Sequence, residues 1–569
     1  MVEKMNRTLR LSIAVTSFSA ALLITLLLGW SDTSLYAQQG DTPTPTPERD
    51  SELDIQVEAT EDKVSSPGYS NLDSDLNRIV ERMRVERMRM SSGLAARAAA
   101  KSAPLNDGRQ SVAATLYVAE GYADAVASWL EANGASPRSS GVDYIEAYIP
   151  VRLLAQASIQ EGVTSIQAIV PPQPAQGVIV SEGAAAHGAP SWHAAGYKGE
   201  GVKIGIIDSS FSDFAGLQGT ELPSTVSVRC YTALGRFSSE LSACSPSDAS
   251  SRDTMHGTAV TEAVFDIAPE ATYYIANPYS FGDLQSTTDW MVEEGVDVIN
   301  MSLAWLFGGP GDGTSPYTDA AVKSVDAAVT GGATWVNAAG NYAEDSWRGA
   351  FSDSDSDGFL EFNSSGGECN QVSVSLGPNG GLTAQLRWDD SWGGSSKNLD
   401  LYMLEVPEDS NLISLSGVVA RSARTQTGGD WDMPYERMSL SYGEITNGEY
   451  CFAVKSTSGD TPSWVQLVVW GNSGSLGDYV AAGSISNPAN SKNAGMLAVG
   501  AAPHSDTSTI ESFSSRGPTA DDRIKPDIVG ADGGNSKIWG HWGGTSQSSP
   551  HVAGLAALVK QRFPSYTPS

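Results

Sequence analysis

A chain of 569 residues, 40% hydrophobic and 18% charged, is long enough for two to four globular domains and too apolar for a disordered polymer. Its 66 acidic residues against 35 basic ones leave a formal net charge of −31, which would repel phosphate backbones and excludes a nucleic-acid partner. Six scattered histidines offer no zinc-ligand set, and the charge suits solubility.

Lys4, Arg7 and Arg10 precede an apolar run at 11–30, and Ser34-Leu35-Tyr36-Ala37 ends on a small residue, the layout of a signal peptide over 1–37. The run could also span a bilayer, so an uncleaved anchor is the alternative. Either way the remainder is expected outside the cytoplasm, secreted once the signal is cut and then without membrane contact. Residues 38–74, with Thr-Pro repeats at 42–47, read as an extended or disordered acidic linker. From 75 the apolar residues Leu76, Ile79, Val80, Met83 and Met90 recur at helical spacing, with Ser74 as cap. Arg78, Arg82, Arg87 and Arg89 are expected on a solvated face, pairing with an acidic domain being the alternative. Strands at 112–118, 144–149 and 165–170, with helices at 123–133 and 151–161, make 75–176 a small α+β module ending in Pro171-Pro172-Gln173-Pro174-Ala175-Gln176.

Short apolar strands then follow at 202–208, 272–276, 296–300, 334–337, 496–501 and 527–529, separated by helical patterns such as 284–294 and 317–330. That alternation predicts an α/β domain, a mainly parallel sheet covered by helices on both faces, built from 177–345 and 474–569. Between the two parts the helical period vanishes. Seven short strands at 372–376, 382–388, 399–404, 412–419, 437–442, 450–455 and 465–470 predict an all-β sandwich inserted over 346–473.

At the entrance of that insert, Asp353, Asp355 and Asp357 alternate before Gly358, the first half of an EF-hand-like loop in which hard oxygen ligands converge on calcium. The twelfth position is Ser364 rather than glutamate, so an acidic surface turn is the alternative to a structural Ca²⁺ site. Four cysteines in an exported chain are expected to oxidise. Three pairings are possible; Cys230–Cys244 with Cys369–Cys451 keeps each bridge inside one domain and is preferred.

Gly543-Gly544-Thr545-Ser546 leads into a small-residue helix, placing Ser546 at a helix N-terminus where the dipole favours developing negative charge. A serine needs a base and an orienting acid. Asp208 ends the strand at 202–208, and His256 opens the helix Met255-His256-Gly257-Thr258-Ala259-Val260. With Val336-Asn337-Ala338-Ala339-Gly340-Asn341, Val298-Ile299-Asn300-Met301-Ser302-Leu303, Phe513-Ser514-Ser515-Arg516-Gly517-Pro518 and Ile524-Lys525-Pro526-Asp527-Ile528, these segments resemble the subtilisin-like serine proteases, peptidase family S8, in that family's order.

The resemblance implies a serine-type endopeptidase with the triad Asp208, His256 and Ser546 and with Asn341 in the oxyanion hole. It further implies a peptide-binding strand at Ser302, Leu303 and Ala304, protein or peptide substrates, and no cofactor for catalysis. The chain is expected to be a monomer. A module before such a domain looks like a propeptide that assists folding and blocks the cleft, a permanent N-terminal domain being the alternative. Asn398-Leu399-Asp400-Leu401-Tyr402 is similar to a motif of bacterial pre-peptidase β-sandwich domains.

Several features depart from the family. Ala304-Trp305-Leu306-Phe307 stands where a double glycine is usual, so a reshaped cleft wall is expected. The short path from His256 to Ala268-Pro269 leaves no room for a calcium loop common there, and the sequence stops at Ser569, soon after the nucleophile helix, which reads as a C-terminally truncated domain. Two other classes compete: a pseudoenzyme or adhesin that binds through the sandwich, and an acid-acting sedolisin, against which His256 argues.

Overall fold

The computed structural model describes residues 69–91, 111–169, 173–174, 181–232, 236–245, 255–306, 308–318, 320–377, 380–407, 413–458, 460–471 and 474–568. The expected signal segment and nearly all of the expected linker lie outside these residues. Among the described residues no helix is long and apolar enough to cross a membrane.

The N-terminal module is a four-stranded antiparallel sheet in the order Ser136–Ser140, Tyr144–Pro150, Ser111–Val118, Val163–Ala168. Every residue of Ser111–Val118 is buried, as expected of a central strand written almost wholly in apolar residues. Helices Ala123–Ala132 and Val151–Ala157 pack Val126, Leu130, Leu153 and Leu154 into its core with Leu116, Ile145 and Ile166. The module reaches back to Leu72, fully buried and bridged to Ile166.

Helix Ser74–Ser91 is capped by Asp73, not by Ser74: the Leu76 N–H donates to Asp73 Oδ1 at 2.8 Å. The Ser74 hydroxyl instead meets Ser422 Oγ at 2.7 Å and Glu436 Oε2 at 3.4 Å. Arg78 does not sit on a solvated face either, because its guanidinium binds Asp75 and the Ser439 carbonyl, the latter at 2.9 Å. The side chains of Arg82, Arg87 and Arg89 are outside the described set.

The central sheet has eight strands in the order Ile528–Asp532, Met496–Pro503, Thr334–Ala338, Val298–Met301, Lys203–Ile207, Thr272–Ala276, Val226–Tyr231 and Phe237–Ser238. The first seven are mutually parallel and the last is antiparallel. Side-chain alternation supplies two cores. Ile204, Ile206, Val298 and Val336 point to the face covered by helices His256–Phe265 and Thr545–Arg562, while Ile207, Ile299 and Trp335 point to the face covered by Phe281–Glu293 and Ala321–Thr330. Each of these fully buried aliphatic side chains contributes about 1.5–3 kcal/mol. Strands Val226–Tyr231 and Phe237–Ser238 extend the sheet beyond the six anticipated, and the Cys230–Cys244 bridge ties them to the turn at Leu241–Cys244.

Two further four-stranded antiparallel sheets share one core. Their orders are Ser346–Gly349, Val465–Gly471, Gly381–Trp388, Tyr435–Ser441 and Asn370–Val374, Gly448–Ser456, Leu399–Glu405, Val418–Ser422. Trp347, Leu386, Trp388, Leu401, Phe452 and Leu467 fill the space between them. The strand expected at 412–419 begins only at Val418, after a 3₁₀ turn at Leu415–Gly417, and Ser346–Gly349 is an eighth strand. Cys369 is bridged to Cys451, so both disulfides pair as preferred from the sequence.

Candidate active site

Asp208 leaves the C-terminal end of Lys203–Ile207 fully buried, its backbone N–H donating to the Ala276 carbonyl at 3.0 Å. His256 is the first residue of helix His256–Phe265, also fully buried, and its Nδ1 lies 2.7 Å from Asp208 Oδ1. The two residues after His256 explain that approach. The Gly257 N–H donates to the Ser210 carbonyl at 2.8 Å and the Thr258 hydroxyl to the Ser212 carbonyl at 2.7 Å, pinning the helix start onto the loop that follows Asp208. A Cβ on Gly257 would stand 2.7 Å from the Ser210 carbonyl oxygen and 2.8 Å from the Asp208 Cβ, so only glycine permits this contact.

Ser546 is the second residue of helix Thr545–Arg562, entered through Gly544 at φ 111°, and is fully buried. Its hydroxyl donates to the Ser302 carbonyl at 3.2 Å. Pro550 lies in the second turn of this helix. Lacking an N–H, it cannot bond the carbonyl four residues back, and that carbonyl, of Ser546 itself, accepts from Ser302 Oγ at 3.1 Å instead. Ser302 Oγ also lies 3.1 Å from Ser549 Oγ and accepts from Asn300 Nδ2 at 3.1 Å, so strand and nucleophile helix are cross-linked at the reacting end.

Asn341 follows the positive-φ Gly340 and is clamped by Thr545, whose N–H and hydroxyl donate to Asn341 Oδ1 at 3.0 and 2.9 Å. The same hydroxyl accepts from the Gly340 N–H at 3.1 Å. Because a backbone N–H can only donate, these bonds fix which end of the amide is oxygen and leave the NH₂ end as its donor.

Leu303–Ala304 pairs antiparallel with Gln173–Pro174, Leu303 opposite Pro174 and Ala304 opposite Gln173. Thus the last described stretch of the N-terminal module lies along the strand proposed to hold peptide. Elsewhere the module is anchored by Glu146, which accepts from Ser280 Oγ at 2.7 Å and from the Gly282 N–H at 3.1 Å at the start of Phe281–Glu293. Beside it, Arg138 pairs with Asp283 at 2.7 Å, both almost fully buried. Burial, opposed by Arg138 and reinforced by Glu146, pushes the Asp283 carboxyl up to about 6.

Reasoning from motifs alone misses the aromatic wall beside the histidine. The rings of Trp542 and Trp539 stand 5.7 and 6.0 Å from the His256 ring, and Glu262, two turns along the His256 helix, accepts from the Lys537 N–H at 2.9 Å to hold their loop. Desolvation raises the Glu262 carboxyl to about 7. The Trp-x-x-Trp spacing just before Gly543 is the only sequence signal for that wall. Asp353, Asp355 and Asp357 are brought together in the entrance loop, with ligand oxygens within 4.8 Å of one another.

The fold defines a class, α/β proteins built on a mainly parallel sheet; in this chain His256 is in contact with Asp208 while the Ser546 hydroxyl is bonded to the Ser302 carbonyl. The sequence pattern of the Subtilase family matches residues 199–374 and 390–569, and the chain belongs to that family of serine-type endopeptidases. It is similar to subtilisin-like protease SBT2.3 of Arabidopsis thaliana, 39% identical over 82 residues, covering 10% of this chain and 9% of that protein. The minor extracellular protease Vpr of Bacillus subtilis is 25% identical over 427 residues, 65% of this chain and 47% of the relative. The alignments thus span less than half the length of each relative. A solved structure, the CspB protease of Clostridium perfringens, aligns with TM-score 0.45 at 17% identity, over 67% of this chain and 88% of that one.

Proposed function

We propose that the chain is a secreted serine endopeptidase in which Ser546 is the nucleophile, His256 its general base and Asp208 the orienting acid. Asn341 Nδ2 and the Ser546 N–H are the oxyanion donors. The observation that carries this reading is the buried 2.7 Å contact between His256 Nδ1 and Asp208 Oδ1. A carboxylate on Nδ1 keeps the proton there, so the lone pair that accepts the serine proton is on Nε2. Ser546 Oγ then attacks the carbonyl carbon and its proton passes to His256. The imidazolium returns that proton to the leaving amine, and water, activated in the same way, hydrolyses the acyl ester. The developing oxyanion sits at a helix N-terminus, where the dipole adds to both donors. Two disulfides and the signal-like N-terminal pattern support an oxidising, extracytoplasmic destination.

In this reading the N-terminal module is a propeptide whose tail lies in the substrate's place. In the ladder Gln173 faces Ala304 and Pro174 faces Leu303, the neighbour of Ser302, whose carbonyl holds the Ser546 hydroxyl. The bond expected to be cut is therefore Ala175–Gln176. Mass spectrometry of secreted protein should find a new N-terminus at Gln176 in the parent and none there in Ser546→Ala, and a fluorophosphonate probe should label only the parent. Equal N-termini in the two proteins would remove self-cleavage; an unlabelled parent would remove the hydrolase and leave the binding-protein alternative.

A further inference from the structure

The entrance loop of the double-sheet region begins as the EF-hand count predicts and then abandons it. Asp353, Asp355 and Asp357 converge, and Ser356 and Gly358 turn the chain at φ 66° and 92°. The ninth and twelfth positions of such a loop are Glu361 and Ser364. Glu361 is turned back, its carboxylate accepting from Ser352 Oγ at 2.6 Å and from the Ser354 N–H at 3.0 Å, and Ser364 offers no carboxylate.

A different acid faces the cluster from further along the chain. Glu368 is 1% exposed, its Oε2 has no hydrogen-bond partner, and its carboxylate is steadied by the Ile413 N–H. A buried carboxylate oxygen without a donor is costly, and one placed where other carboxylates already repel it is costlier still. Burial first, then the charges of Asp357, Asp355 and Asp353, bear on this group. Among the described residues no lysine or arginine forms an ion pair with any of the four. Three converging carboxylates with a fourth, buried and unsatisfied, close by are oxygen donors suited to a hard divalent cation, and such a set describes calcium better than the smaller, strictly octahedral magnesium.

We infer that Asp353, Asp355, Asp357 and Glu368 together hold a calcium ion, Glu368 closing on the three aspartates by side-chain rotation and taking the part that the twelfth residue plays in an EF-hand loop. Glu368 adjoins Cys369, which is bridged to Cys451 in the strand Gly448–Ser456. The ion therefore ties the entrance loop to the sheet edge that the disulfide also holds.

The test uses the full chain carrying Ser546→Ala, stripped with EDTA, titrated with CaCl₂ by calorimetry and followed by thermal unfolding. One calcium should bind with a rise in melting temperature, and MgCl₂ at the same concentration should give neither. Glu368→Gln is the informative variant, since its amide oxygen can still accept from Ile413. It should fold, by circular dichroism, and bind calcium about 10–100-fold more weakly. Asp506→Asn, which removes a charge from an exposed turn, should bind like the parent. Absence of any calcium effect at millimolar concentration, an equal response to magnesium, or parental affinity in Glu368→Gln would each overturn the assignment.

Discussion

Asn341 gives the sharpest test of the proposed mechanism, because the structure separates its role from that of the residue that aims it. Asn341→Ala deletes a charge-stabilising donor and should cost about 2.7–4 kcal/mol of transition-state stabilisation, a fall in kcat of about 10²–10³-fold with KM little changed. Thr545→Val acts at one remove. It takes away the 2.9 Å hydroxyl contact on Asn341 Oδ1 and strips the Gly340 N–H of its 3.1 Å acceptor. The unpaired N–H should lower stability by about 1–3 kcal/mol. The Thr545 N–H still holds the amide at 3.0 Å, so kcat should fall only about tenfold, and Thr545→Ser should restore it. The assay is steady-state hydrolysis of a peptide p-nitroanilide, with active sites counted by fluorophosphonate titration. A kcat for Asn341→Ala within twofold of the parent, or a loss confined to KM, would refute the assignment of Asn341 to the oxyanion.

Gly257→Ala should be disproportionately harmful for a single methyl group. Its Cβ, 2.7 Å from the Ser210 carbonyl oxygen, should destabilise the fold by about 1–3 kcal/mol and push His256 away from Asp208, so that melting temperature and kcat fall together; a parental kcat would argue against the tight approach. Docking of the cleaved N-terminal module should weaken as pH rises. Burial raises the Asp283 carboxyl from 3.8 to about 6 in the docked state, which therefore binds the extra proton. Docking is strongest below about pH 4 and loses up to about 3 kcal/mol as pH passes through 6, so activity should emerge faster at pH 7 than at pH 5. A flat profile, or an unchanged one in Asp283→Asn, would contradict it.

The parallel sheet was legible because Lys203–Ile207, Val298–Met301 and Met496–Pro503 are apolar runs flanked by turn residues, which is how strands covered on both faces are written. Ser136–Ser140 was not, since an edge strand of serines, proline and arginine has no hydrophobic period to read. Ser346–Gly349 is four residues long and gains its identity only by pairing with Val465–Gly471. In the site, Asp208, His256 and Ser546 stood out because each carries a short local motif. Thr545, Glu262 and Glu368 did not, because each acts on residues far along the chain: Thr545 on Asn341, Glu262 on Lys537, Glu368 on the aspartates from which an EF-hand count would have excluded it.

The altered wall of the cleft has its own explanation in the packing. Where a double glycine would leave the peptide-binding strand bare, Ala304 and Leu306 are buried in one cluster with Tyr342 and Val468, and with the half-buried Trp470. Val468 and Trp470 belong to the strand Val465–Gly471, so the double-sheet region leans on the strand that would hold substrate. The N-terminal module touches both bodies at once. Gln173–Pro174 pairs with Leu303–Ala304, while Asp75, held below the usual carboxylate range against its burial by Arg437 and then Arg78, fastens the helix Ser74–Ser91 to the strand Tyr435–Ser441. Tyr117 of the module stacks 4.8 Å from Trp431, which in turn stacks 4.8 Å from Tyr317. The module thus has one contact on the peptide strand and another on the double sheet, and bridges the two. That packing sets the double sheet directly against the strand expected to hold peptide, rather than remote from it.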